Sequence, residues 1–204
     1  LQGESRDGVV VHYANNEVFN PHPLDIKTNE WPGTFPSRRA AFAIDNCRYI
    51  TVTDMTIKTD LEGQAEGLLV NGSHNTFSNV HIIGSGDALQ TNGSAYYKDC
   101  TVDGGGDTVL GRGPAFFERC SLRSKGAFMW IRNTNANHGD VFVNCTFEGL
   151  GDDTELARSP VNKGTGYPYA EAVLIGCKLK NIAPCGWKSI DGDTTYVRFW
   201  EFDS

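Results

Sequence analysis

Two aspartates sit in closely related glycine-rich settings, Asp87 in GSGDAL (84–89) and Asp107 in GGGDTVL (104–110). Two carboxylates held close together cannot both ionise comfortably. One keeps a proton and suits a general acid; the other, ionised beside a cation, suits a nucleophile. Two further side chains fit that chemistry. Gln64, in GQAEGLLV (63–70), has an amide that can donate to a developing oxyanion, and Arg158, in LARSP (156–160), can hold one aspartate ionised. The other reading of the pair is an aspartate ladder at solvated Gly-Asp corners, and a lone Gln or Arg is ordinarily a surface residue.

What brings the aspartates together is a repeat. ITVTDMTI (50–57), TFSNVHI (76–82), YYKDCTV (96–102), FFERCSL (116–122), VFVNCTF (141–147) and VLIGCKL (173–179) share one pattern. Each is a short β-prone run with an apolar residue or cysteine at one place: Met55, Val80, Cys100, Cys120, Cys145 and Cys177. The spacings are 25, 20, 20, 25 and 32 residues, with Gly, Asn and Asp at the joins and no amphipathic helical stretch between. This period predicts an all-β chain, a right-handed single-stranded parallel β-helix, whose longer intervals are loops. Stacked coils set equivalent residues about 4.8 Å apart. Asp87 and Asp107, each seven residues past its column residue, are then neighbours on consecutive coils. The cysteine column faces inward as buried thiols; a disulfide staple suits parallel-ladder geometry poorly.

Composition narrows the function classes. At 204 residues and 39% hydrophobic content the chain can bury a core, and a single β-helix catalytic domain over residues 1–204 is expected. Both ends read as strands cut from a longer chain. A net charge of −7 and a pI near 5.2, without a basic stripe, argue against nucleic acid as a partner. No apolar run approaches the roughly 20 residues of a membrane helix, so no membrane span is expected. The cysteines include no CxxC pair, which argues against zinc.

The four candidate residues, in this order, resemble the pectin methylesterase family. GQAEGLLVNGSHNTFSNVHIIGSGDALQ is similar to that family's stretch from a QAVAL-type to a QDTL-type motif, placing Gln64 on its functional Gln and Asp87 on its acid/base. YYKDCTVDGGGDTVLGRGPAFFERC resembles its FYxDCxIxGxxDFIFG segment, placing Asp107 on the nucleophile. LARSP is similar to LGRPW, which supplies the site arginine, PCGW (184–187) to a following PxGW, and LQGESRD (1–7) to an early LxGEGRD turn. The resemblance implies hydrolysis of galacturonate methyl esters in pectin, with no cofactor and no metal, by a monomer that is secreted, periplasmic or cell-surface. Four positions depart from the pattern: Gly86 replaces the Gln of QDTL, Leu110 the second Phe of DFIFG, and Ser159 and Pro160 the Pro-Trp after the arginine. Trp130 and Phe128 are candidate replacement platforms for a sugar ring, with core packing as the alternative. Arg112, Lys125 and Arg132 are candidate contacts to free carboxylates of the polymer, with solvated surface charge as the alternative.

Other functions fit the same scaffold. An esterase or thioesterase of different specificity is one. A non-catalytic polysaccharide-binding β-helix is another, and it predicts binding that survives loss of both aspartates. A polysaccharide lyase would call for a calcium-binding acid cluster, whereas the sequence offers one acid pair.

Overall fold

The computed structural model describes residues 1–19, 39–161 and 166–204, which form seventeen β-strands and no α-helix. In chain order these are β1 (Val10–Tyr13), β2 (Phe42–Ile44), β3 (Thr51–Thr59), β4 (Leu68–Val70), β5 (Asn75–Ile83), β6 (Leu89–Thr91), β7 (Ala95–Lys98), β8 (Thr101–Gly104) and β9 (Val109–Gly111). They continue as β10 (Ala115–Glu118), β11 (Ser121–Ser124), β12 (Met129–Ile131), β13 (Asp140–Val143), β14 (Thr146–Gly149), β15 (Glu171–Ile175), β16 (Lys178–Lys180) and β17 (Arg198–Phe202). Neighbouring strands pair in parallel, and each pairing joins one coil to the next, as a right-handed parallel β-helix requires.

Each coil contributes to three faces. One is the five-stranded sheet β2-β4-β6-β9-β12. The second runs β7-β10-β13-β15-β17 and the third β8-β11-β14-β16; the long strand β5 pairs with both β7 and β8 and so spans the corner between them. That corner is made by one residue per coil in the left-handed conformation: Asp54, Asn79, Asp99, Arg119, Asn144 and Gly176 have φ of 57°, 53°, 54°, 51°, 53° and 60°. Asn, Asp and Gly tolerate this region best, which is why they recur at the joins. Arg119 is the exception, and its guanidinium is clamped on the Asp99 carboxylate of the preceding coil at 2.8 and 2.9 Å.

The repeated column is in register: Met55 pairs with Val80, and the pairings of β8, β11, β14 and β16 align Cys100, Cys120, Cys145 and Cys177. These four thiols are buried and free, whereas Cys47 and Cys185 are exposed. A second inward column is aromatic. Phe77, Tyr97, Phe117 and Phe142 stack with centroids 5.0, 4.7 and 4.5 Å apart, each ring nearly parallel to the next. Such contacts contribute about 0.5–1.5 kcal/mol per pair beyond burial of the rings. Together the columns hold the coils at fixed spacing under the turns that carry the site. Among the described residues no helix is long and apolar enough to cross a membrane.

Candidate active site

The site lies on the turns that lead into the five-stranded sheet. Leu68, Leu89 and Val109 pair in register along β4, β6 and β9. Asp87 and Asp107 each stand two residues before these partners, which makes them equivalent positions on consecutive coils. The turns are tight. A Cβ on Gly105 would lie 2.1 Å from the Ser85 carbonyl oxygen, and Asp107 itself is left-handed, with φ of 45°. Gly86, where the resemblance expects glutamine, leaves no room either: a Cβ there would come within 2.8 Å of the Gly63 carbonyl oxygen. The departure from the family pattern is therefore built into the backbone of this turn.

Arg158 reaches the pair from the long interval between β14 and β15. Ala157 bridges Met129 of β12, and the Arg158 N–H donates to the Met129 carbonyl, so this segment forms a further rung of the five-stranded sheet. Arg158 Nη1 then donates to Asp107 Oδ2 at 2.9 Å. On the way its guanidinium passes over Trp130, 4.7 Å from the ring centroid, a cation–π contact that fixes the arm.

The carboxylates differ electrostatically. Burial raises the Asp87 carboxyl to about 7, helped by the charges of Glu66 and Asp107 and opposed by Arg39 and Arg132. Burial also raises Asp107, against the opposing charge and hydrogen bond of Arg158 and the charge of Arg132. Arg158 thus pulls the Asp107 carboxyl down, but desolvation outweighs the ion pair and the net direction is upward. Asp87 carries the larger shift, so the proton of the pair belongs on Asp87.

Gln64 is exposed at the turn before β4, with its Oε1 accepting from Arg39 Nη1 at 2.8 Å. The remaining candidates divide. Phe128 is fully buried, edge-on to Phe147 at 5.2 Å, and so presents no face to a sugar. Trp130 is half-buried, and its ring already carries Arg132 at 4.0 Å as well as Arg158. Arg112 and Arg132 are not solvated surface charges: they are 6% and 5% exposed and line a cavity of about 240 Å³ with Asn133, Tyr167 and Tyr169. Lys125 is exposed. Two residues at the site were missed in the sequence. Glu66 was legible by counting, since it precedes Asp87 by one coil of 21 residues. Arg39, outside every repeat, carried no signal.

Fold and site together define a β-helix whose outer turns present an aspartate raised to about 7 beside an arginine-paired one. The chain belongs to the pectinesterase family, a family of carboxylic ester hydrolases whose model matches residues 26–201. Among solved structures it is similar to the pectin methylesterase from Aspergillus niger (TM-score 0.79, 20% identity, 100% of this chain and 68% of that one). It is also similar to that from Yersinia enterocolitica (0.78, 20%, 100% and 78%) and to that from carrot (0.76, 16%, 98% and 64%). The chain thus spans less than two thirds of the carrot enzyme. No curated protein sequence matches it.

Proposed function

We propose that the protein hydrolyses galacturonate methyl esters in pectin, releasing methanol, with Asp107 as nucleophile and Asp87 as general acid and base. The observation that carries this reading is the unequal pair itself: Asp107 bonded to Arg158 at 2.9 Å, beside Asp87 with its carboxyl near 7. A carboxylate oxygen of Asp107 attacks the ester carbonyl carbon, and the carbonyl oxygen becomes an oxyanion that the Gln64 amide bonds. As the tetrahedral intermediate collapses, the C–OCH₃ bond breaks and the leaving oxygen takes the proton of Asp87, giving methanol and an acyl–Asp107 anhydride. Asp87, now ionised, draws a proton from water as that water attacks the acyl carbon. The acyl–oxygen bond to Asp107 then breaks, which returns the Asp107 carboxylate, the protonated Asp87 and a free galacturonate carboxyl. Arg158 orients Asp107 throughout.

A polymeric substrate of this kind supports a secreted, periplasmic or cell-surface location. The deciding measurement is methanol release from highly methylated pectin by the protein and by Asp107→Asn, with an acetyl-ester control. Methanol from the first and none from the second supports the reading. Acetate or a thiol product instead would assign a different esterase, and binding of pectin that survives loss of both aspartates would assign a non-catalytic scaffold.

A further inference from the structure

The column that holds the two aspartates has a third carboxylate. Glu66 stands two residues before Leu68, as Asp87 does before Leu89 and Asp107 before Val109, and these partners are in register. Glu66 is 3% exposed, and its Oε2 has no hydrogen-bond partner among the described residues. Its Oε1 takes a charged hydrogen bond from Arg39 Nη2. The same nitrogen lies 3.4 Å from Asp87 Oδ2, and Arg39 Nη1 donates to Gln64 Oε1 at 2.8 Å.

The column therefore has a guanidinium at each end, Arg39 on Glu66 and Arg158 on Asp107, with Asp87 between two carboxylates. Buried with a carboxylate on either side, the middle member is the one on which a proton costs least. Arg39 also settles the orientation of Gln64. A guanidinium can only donate, so the amide atom it meets is the oxygen, which leaves the NH₂ as the end available to an oxyanion.

We propose that Glu66 and Arg39 are positioning residues for this hydrolysis: Glu66, fixed by Arg39, makes Asp87 the member that holds the proton, and Arg39 turns the Gln64 amide toward the oxyanion. This rests on the assignment of Asp107 and Asp87 made above. The groups facing Asp87 are Glu66, Asp107, Arg39 and Arg132; the two carboxylates and burial raise it, and the two arginines oppose them.

The test is the pH dependence of kcat for methanol release by the wild type, Glu66→Gln, Arg39→Gln, Arg39→Lys and Asp107→Asn. Glu66→Gln removes a like charge and frees Arg39 for Asp87, so the alkaline limb moves down by about one pH unit, about a tenfold loss of rate on that side. Arg39→Gln removes the opposing cation, so the limb moves up while kcat falls at every pH as Gln64 is released. Arg39→Lys keeps the limb near its wild-type place but lowers kcat, because one ammonium cannot span Gln64 and Glu66 together. Opposite displacements are not produced by loosened packing. An unmoved limb in Glu66→Gln, or displacement in the same direction in both charge-removing variants, overturns the proposal. If Glu66→Gln does not fold, an unmoved limb in Arg39→Gln overturns it equally. A wild-type rate in Asp107→Asn would instead remove the assignment beneath it, whereas a dead Asp107→Asn with an unmoved limb removes only the roles of Glu66 and Arg39.

Discussion

Arg158 and Asp107 are 51 residues apart in sequence and joined by a 2.9 Å charged hydrogen bond, with Trp130 stacked under the arginine at 4.7 Å. The aspartate is fixed by a left-handed turn, the arginine by its backbone N–H donating to the Met129 carbonyl and by the indole. Neither group has to find the other on substrate binding, the kind of preorganisation the proposed nucleophile would need.

Removing the proposed nucleophile tests that arrangement most directly. Asp107→Asn keeps the volume and the turn but loses the charge, and is expected to lower kcat by about 10³-fold or more while the far-ultraviolet spectrum and melting temperature stay near wild type. Methanol assays beside circular dichroism check both halves.

Trp130→Ala leaves every polar group of the site in place but withdraws the surface on which Arg158 lies. The expected loss is in kcat, about tenfold, with less effect on KM, since a cation–π contact is worth about 0.5–2 kcal/mol. If Trp130 is instead a sugar platform, KM rises and kcat holds; steady-state kinetics on pectin separate the two.

Gln64→Ala removes the proposed oxyanion donor. A fall in kcat of about 10²-fold with little change in KM is expected, because the interaction strengthens only as the oxyanion forms. A rise confined to KM would make Gln64 a ground-state contact.

If Asp87 is the general acid, its carboxyl near 7 is expected to set the alkaline side of the profile. The proposed mechanism uses the acid form for methanol departure, so kcat is expected to fall as pH rises through about 7, and Asp87→Asn, which cannot exchange that proton, should lose both activity and this limb. A wild-type limb retained in Asp87→Asn would assign the titration to another group.

Stability carries a separate signature at Asp140, 5% exposed and raised by burial to about 8. Its folded value lies above the unfolded one of 3.8, so the folded state binds the extra proton between these values, and stability is lost as pH rises from about 4 to about 8. Asp87 acts in the same direction over a shorter range. Asp140→Asn is expected to shrink the drop in melting temperature between about pH 5 and about pH 9, measured by calorimetry.

The sequence by itself determined the coil period, the inward columns of Met55, Val80 and the four cysteines, and the placement of Asp87 and Asp107 on consecutive coils. All three follow from local spacing, because in a parallel solenoid a fixed interval along the chain is a fixed neighbour in space. Glu66 obeys the same rule and was available to the same counting. Only the tertiary structure decided what lies across that rule. Arg39, just before β2, and Arg158, in the long interval between β14 and β15, stand where no repeat interval fixes them; Trp130 proves to lie beneath two guanidiniums, and Phe128 and Arg132 prove buried. The sign of the shift at Asp107 was likewise beyond the sequence, which names the charges near a carboxylate but not the water excluded from it, and here exclusion of water is the larger effect.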